Sequence, residues 1–351
     1  RLSDRARLLV ALAVVRGWSQ RELAPVLKAS EVDWLAAAKA MAEEDFRPAV
    51  RCDLPDWLYG VLEVQFGADE VLRLAAALNQ PAPLDLRVNT LKTNREAVLA
   101  QFAAEGIAAV AGSLSPLAIR LRDKPALARH PLFLAGAFEV QDEGSQLLGY
   151  LMEPRRGEMV VDFCAGAGGK TLLLGALMRN TGRLYAYDVS DKRLARLKPR
   201  LARSGLSNVH PVRIEHERDS RIKRLAGKVD RVLVDAPCSG LGTLRRNPDL
   251  KWRQGEDSIA ELAVKQAAIL DAAARLVRPG GRVVYATCSL LTAENEAVVD
   301  AFLAGHPDFT LAPASQVLAR HDIVLDGDTL RLLPHRHNTD GFFAAVLDRK
   351  A

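Results

Sequence analysis

VVDFCAGAGGKT (Val160–Thr171) is an apolar run that breaks into glycines and ends on Lys-Thr, the signature of a strand, a tight turn and a helix start. Three ligands compete for such a loop: a nucleotide phosphate, a dinucleotide, or another nucleoside cofactor. A phosphate loop needs G-x-x-x-x-G-K-[ST], and counting back from Gly169-Lys170-Thr171 puts Cys164 where the first glycine belongs. The dinucleotide pattern G-x-G-x-x-G opens on Gly166-Ala167-Gly168 but meets Thr171 at its last glycine. A turn that holds no ligand is the plain alternative.

The following strand, RLYAYDV, favours a ligand. It carries Asp188 at its end, where an acid in this kind of fold binds ribose hydroxyls. Glycines let the backbone approach a ligand closely, and the first helix offers its N–H groups to a carboxylate as readily as to a phosphate. Loop and acid together fit a nucleoside with a small acidic tail, so the expected cofactor is S-adenosylmethionine.

Outward from the loop, strands and helices alternate over residues 151–351: MVVDFC, RLYAYDV, NVHPVRI, VDRVLVDA, GRVVYATCS and GFFAAVLD read as strands. In SIAELAVKQAAILDAAARLV, residues Leu262, Gln266, Ile269, Ala273, Leu276 and Val277 share a helix face, and RPGG is expected to stop that helix. This alternation predicts an α/β class with a doubly wound, Rossmann-like sheet. Residues 84–150 read as a smaller α/β domain, with LDLRVNTL and LAIRLRD as strands around the helix NREAVLAQFAAEGI. Residues 1–80 read as helical up to the breaker cluster NQPAP.

Two strands end in thiols. VDRVLVDAPCSG closes on Asp235 and turns through Cys238, and GRVVYATCS closes on Cys288. Ligands of open parallel sheets bind outside the carboxyl ends of the strands. Neighbouring strands lie about 5 Å apart, so adjacent positions in the sheet would let both thiols face one substrate.

Here the sequence resembles the RNA 5-methylcytosine methyltransferases of the Fmu/Sun and nucleolar type. RVNTLK (Arg87–Lys92), FEVQDEGSQL (Phe138–Leu147), CAGAGGKT, DAPCSG, TCS and TDGFFAAVL (Thr339–Leu347) match its motifs in order. The resemblance implies a class I methyltransferase core preceded by a small RNA-recognition-like domain. It implies Cys288 as the nucleophile toward cytosine carbon 6, with a depressed pKa, and Asp235 as the carboxylate on the N3/N4 edge. Cys238 would assist loss of the carbon 5 proton and release of the enzyme. Cofactor contacts carry over to the backbone of Cys164, Ala165, Gly166, Ala167, Gly168, Gly169 and Lys170, to Asp188 at the ribose and to Asp235 near the sulfonium. Arg193 would support the ribose carboxylate. Glu215 stands where the family usually has Asp at the adenine edge, and Ala167-Gly168 lacks the family's proline. The nucleophile in TCS, rather than in the Pro-Cys turn, points to RNA instead of DNA.

The chain has 351 residues, 49% apolar and 26% charged, which supplies a sizeable core and suits more than one domain. LLVALAVV is too short to cross a membrane and lacks the cleavage site of a secretory signal. Four cysteines without a CxxC pair fit a reducing cytoplasm. A net charge of +5 weakly favours an acidic partner such as nucleic acid, and the resemblance implies RNA, foremost ribosomal RNA. Transfer RNA, or a non-catalytic ribosome-assembly role, is the alternative. In LRRNPDLKWR (Leu244–Arg253), four cations and Trp252 are candidates for phosphate contact and base stacking, against a solvated loop with Trp252 in the core. RLARLKPRLARS reads as an exposed helix face, and Arg87 and Lys92 as weak RNA candidates. His335 and His337 lack a third ligand, so no metal is expected, and the chain is expected to act as a monomer.

Overall fold

The computed structural model describes residues 3–41 and 46–351, and the chain divides into two compact units, Arg1–Tyr59 and Gly60–Ala351. Among its described residues the first unit is helix and loop: Asp4–Val10, a wider π-helical turn Ala11–Val15, Gln20–Leu23, Ala29–Ala40 and Pro48–Arg51. Leu9, Ala13, Leu23 and Leu35 are buried together. A capping box between Ser19 and Glu22 starts Gln20–Leu23, and Arg5 pairs with Glu31 at 2.7 Å. Residues 42–45 of the helical reading lie outside the described residues.

In the second unit, helix Ala68–Leu78 ends at Asn79, where the breaker cluster begins. A four-stranded antiparallel sheet follows, formed by β1 (Leu84–Val88), β2 (Ala109–Ala111), β3 (Ala118–Leu121) and β4 (Phe138–Val140) in the order β2-β3-β1-β4. Helix Arg95–Ala104, capped by Asn94, buries Val98 and Phe102 against Leu86, Ile119 and Phe138 of this sheet. Helix Glu143–Met152 comes next and is buried at every residue. Its first residue, Glu143, is a carboxylate out of water, and it accepts the N–H groups of Leu114 and Ser115 at 2.6 and 2.9 Å.

The large sheet contains β5 (Met159–Asp162), β6 (Arg183–Asp188), β7 (Val209–Arg213), β8 (Val229–Asp235), β9 (Val277–Thr287), β10 (Phe309–Ala312) and β12 (Phe342–Arg349). Its order is β10-β12-β9-β8-β5-β6-β7, with β11 (Leu330–Leu332) beside β12. Strands β5 to β9 are parallel, and β12 runs antiparallel to β9. Parallel strands covered on both faces need near-continuous apolar runs. Val232, Leu233 and Val234 of β8 accordingly have no exposed surface, and each such side chain contributes about 1.5–3 kcal/mol over an exposed one. The chain leaves β5 toward one edge through β6 and β7, then returns to β8 on the other side. The switch point, and so the expected binding crevice, lies between β5 and β8.

Three sequence expectations change. The long helix spans Glu256–Ala274 and stops before RPGG; Val277 instead begins β9, and RPGG lies inside that strand. The strand pairing to β8 shifts register there, so the Pro-Gly-Gly segment is a bulge rather than a helix stop. Arg87 is not a surface cation. It is buried in β1 and donates to Gln141 and to the Gly169 carbonyl at 2.6 Å, tying the small sheet to the glycine loop. Burial pushes its guanidinium down to about 10. Helix Asp191–Ser204 likewise turns Arg200 and Arg203 inward onto Glu139 of β4, while Lys192, Arg193, Arg196 and Lys198 stay exposed.

Candidate active site

The glycine loop leaves β5 at Asp162 and enters helix Gly169–Leu177. The Ala165 N–H donates to the Tyr187 carbonyl at 2.8 Å, which pins the turn to β6. Gly166 has φ +56°, and a side chain there would meet nothing within 4 Å, so the turn opens onto free space. Its N–H donates to Asp188 at 2.8 Å, and the other Asp188 oxygen accepts Ser190 N–H at 2.8 Å. Asp188 is thus fixed by backbone at the end of β6, and each oxygen keeps a second lone pair for a ligand hydroxyl. Open space above a glycine, a fixed acid and a helix N-terminus fit a nucleoside with a carboxylate tail. Cys164 packs partly buried against the sheet core, and burial pushes its thiol well up, as suits a residue that offers only backbone.

The remaining cofactor candidates are less enclosed. Arg193 reaches only to 4.0 Å from Asp188 and is 63% exposed in its side chain. Glu215 is exposed at the end of β7, and its N–H donates to Asp219 at 2.9 Å. Asp219, absent from the sequence reading, is the buried acid that shapes this loop.

Asp162 sits beneath the loop with one oxygen bonded to Thr171 Oγ1 at 2.6 Å and the other unpaired. Burial pushes its carboxyl up to about 7 against the partial opposition of Thr171. The folded chain then holds a proton that an unfolded aspartate loses near 3.8, so stability falls as pH rises from there to about 7. Asp162→Asn should remove that part of the slope. In urea denaturation its stability relative to wild type should rise between pH 5 and pH 7, and a constant difference would contradict the assignment.

Strands β8 and β9 are parallel neighbours, with Asp235 opposite Ala286, and this brings the two thiol turns together. Cys238 Sγ and Cys288 Sγ lie 3.3 Å apart. The hydrogen bond to Cys288 and then burial hold the Cys238 thiol well above its ordinary range. Lys170, from the glycine-loop helix, donates to Asp235 at 2.7 Å. Burial opposes its charge, but Asp235 and then Cys288 outweigh burial and hold the ammonium above the ordinary lysine range. No motif marks Lys170 beyond its loop; its ion pair with Asp235 makes it the cation of the thiol rim.

Close backbone approach fixes the rim. Gly242 N–H donates to the Cys288 carbonyl and Gly341 N–H to the Gly242 carbonyl, both at 2.8 Å. A Cβ on Gly242 would sit 2.3 Å from the Gly341 oxygen and 2.8 Å from the Cys288 oxygen. Gly242→Ala should therefore cost about 2–4 kcal/mol in chemical denaturation, since neither contact is a side chain that can swing away. A loss under 0.5 kcal/mol, within the usual scatter of surface substitutions, would mean the rim is loose.

The cationic loop after Cys238 needs correction. Arg246 bonds Asp340 and Asp142 at 2.6 and 3.0 Å. The Arg245 side chain is buried, with Nη1 donating to Asn338 at 3.3 Å, Asp340 3.7 Å away, and Nε and Nη2 without a hydrogen-bond partner. Lys251 is buried, and Arg253 pairs with Asp249. These cations mostly hold the loop in place. Trp252 is 60% exposed rather than packed in the core, and Arg253 stays 74% exposed in its side chain, so these two remain the candidates for stacking and phosphate contact in this loop. His335 bonds Glu70 at 2.7 Å, and among the described residues no group of three or more His, Cys, Asp or Glu is placed to hold a metal. Among them, too, no helix is long and apolar enough to cross a membrane.

A five-stranded parallel core with an antiparallel β12 beside β9, and a glycine loop facing an acid on the adjacent strand, define a Rossmann-like methyltransferase whose cofactor is S-adenosylmethionine. The chain belongs to the family described as 16S rRNA methyltransferase RsmB/F, whose family model matches residues 149–348; residues 54–127 match the ferredoxin-like domain of RsmF/B-like methyltransferases. It is 40% identical over 298 residues to a probable ribosomal RNA small subunit methyltransferase B of Synechocystis sp., covering 84% of this chain and 66% of that protein. A Bacillus subtilis protein of the same description is 32% identical, over 100% of this chain and 79% of its own. The crystal structure of a methyltransferase homolog protein from Pyrococcus horikoshii superposes with TM-score 0.74 at 28% identity, covering 88% of this chain and all of that one.

Proposed function

We propose that the chain methylates carbon 5 of a cytosine in ribosomal RNA, with Cys288 as the covalent nucleophile. The observation that carries this reading is the 3.3 Å contact between Cys238 and Cys288 on the rim that also holds the Lys170–Asp235 pair. Bound S-adenosylmethionine supplies an electrophilic methyl group to carbon 5, a poor nucleophile in the unactivated ring. The Cys288 sulfur adds to carbon 6 and pushes an electron pair toward carbon 5 and the N3 edge, which splits one hard step into easier ones. The Lys170 ammonium and Asp235 carboxylate place a proton and a fixed charge where the ring's charge changes.

Restoring the ring requires the carbon 5 proton to leave and the sulfur–carbon 6 bond to break, its electron pair returning to sulfur. The resemblance gives Cys238 the part of removing the proton: as a thiolate it takes the carbon 5 proton, and the thiol so formed donates a hydrogen bond to the departing Cys288 sulfur. The target base has to leave its stack to reach the thiols, and an unpaired RNA base is cheapest to extrude. Asp188 and the backbone from Cys164 to Lys170 are assigned to the cofactor, with Arg193 and Glu215 at its margin.

Ribosomal RNA is favoured by the names of the relatives, which are small-subunit rRNA methyltransferases. Bisulfite sequencing of ribosomal and transfer RNA from cells with and without the gene tests it. One 16S cytosine should lose protection when the gene is removed. Loss confined to transfer RNA would move the substrate, and no loss at all would favour an assembly role.

A further inference from the structure

Glu294 has no exposed surface and takes no part in the chemistry above. It lies in a single 3₁₀ turn, Thr292–Glu294, just beyond the Cys288 loop. One carboxylate oxygen accepts Ser239 N–H at 2.8 Å and Gln266 Nε2 at 3.0 Å. The other accepts Ser239 Oγ at 2.5 Å and the hydroxyl of Ser289. Ser239 follows Cys238 in the chain, and Ser289 follows Cys288. Gln266 also donates to the Pro237 carbonyl at 3.0 Å, on the other side of Cys238. A buried carboxylate is costly unless fully hydrogen-bonded, and all four donors here come from, or hold, the two cysteine loops.

We propose that Glu294 is the positioning residue of the thiol pair: a single buried carboxylate that grips the residue after each cysteine and so sets the distance and relative aim of Cys238 and Cys288. The inference rests on the thiol chemistry proposed above for its purpose, but its geometry is testable without RNA. Attack on carbon 6 needs Cys288 alone. Release needs Cys238 to meet the departing sulfur, so a slack clamp should slow release more than attack. The negative charge of Glu294 also pushes the Cys238 thiol up, after the Cys288 hydrogen bond, burial and the Cys288 charge.

The test compares wild type, Glu294→Ala and Glu294→Gln treated with diamide. This azo reagent accepts two electrons and two protons from the thiol pair and becomes the hydrazine as the Cys238–Cys288 bond forms. Mass spectrometry of the cysteine peptides follows that bond. Glu294→Ala should close it at least about tenfold more slowly than wild type, because a displacement near 1 Å is enough to lose such a contact. Glu294→Gln should stay within about threefold, since the serine hydroxyls can turn to accept from its amide. A merely structural glutamate would lower the melting temperature without this rescue pattern, and an alanine variant that closes as fast as wild type overturns the proposal. If Glu294→Ala does not fold, Ser289→Ala removes the grip on the Cys288 side: slower closure supports the clamp, and an unchanged rate overturns it.

With RNA and cofactor, Glu294→Ala should hold several-fold more RNA in covalent form than wild type, and a wild-type level overturns the role in release. A Cys238→Ala protein that traps no RNA would count against the thiol chemistry itself, while the diamide rates would still decide on Glu294.

Discussion

Alanine in place of Cys288 should lower methyl transfer at least about 10³-fold with little change in melting temperature, because removing a covalent nucleophile removes the reaction path itself. The thiol is half-buried, and the bond that fixes its position is made by its backbone carbonyl to Gly242 N–H at 2.8 Å. That bond survives the substitution, so loss of rate is separable from loss of fold. Cys288→Ser should be nearly as inactive, since a hydroxyl is a far weaker acid than a thiol and does not present an anion at neutral pH. Incorporation of labelled methyl groups into RNA, measured beside a thermal melt, checks both variants. A rate within tenfold of wild type for either one would remove Cys288 from the chemistry.

The second large effect is expected at Asp235. Asp235→Asn keeps the volume but takes away the charge that holds the Lys170 ammonium against burial. Loss of one preorganised group at the reacting edge should lower kcat by about 10²–10³. The direction of the pH effect follows from the same pair. Burial lowers the lysine and Asp235 raises it, so in the variant Lys170 loses its proton at lower pH. The alkaline limb of kcat should therefore move to lower pH in Asp235→Asn. An unmoved limb would mean that Lys170 is not the group titrating there, and an unchanged kcat would remove the pair from the mechanism.

The parallel strands were legible because burial on both faces leaves a continuous apolar run, as in VLV of β8, and because each ends in residues with little other use at a strand end. Asp188, Asp235, Cys238 and Cys288 were found in that way. β10 and β11, four and three residues long beside β12, carry no such run and passed unread. The bulge of RPGG reads in sequence as a helix stop because Pro-Gly-Gly signals both, and only the pairing of β9 with β8 separates them.

Side-chain partners were the illegible part. Arg87 and Arg246 look in sequence like cations offered to RNA, yet each spends its guanidinium on an internal acceptor brought near by the fold. Periodicity places a residue on a face but does not say what lies opposite. Gln266 gave the one available hint, a polar residue in the apolar stripe of helix Glu256–Ala274, and a buried amide implies partners. Following that amide leads to Glu294, which no motif marks.

The most direct measurement is mass spectrometry of the protein–RNA complex trapped by Cys238→Ala in the presence of the methyl donor. Expected is a methylated cytosine bonded through the sulfur of Cys288, in a complex that survives denaturation and is missing from Cys288→Ala. A nucleotide bonded to any other residue, or full turnover by Cys238→Ala with no trapped complex, would contradict the assignment of the two thiols.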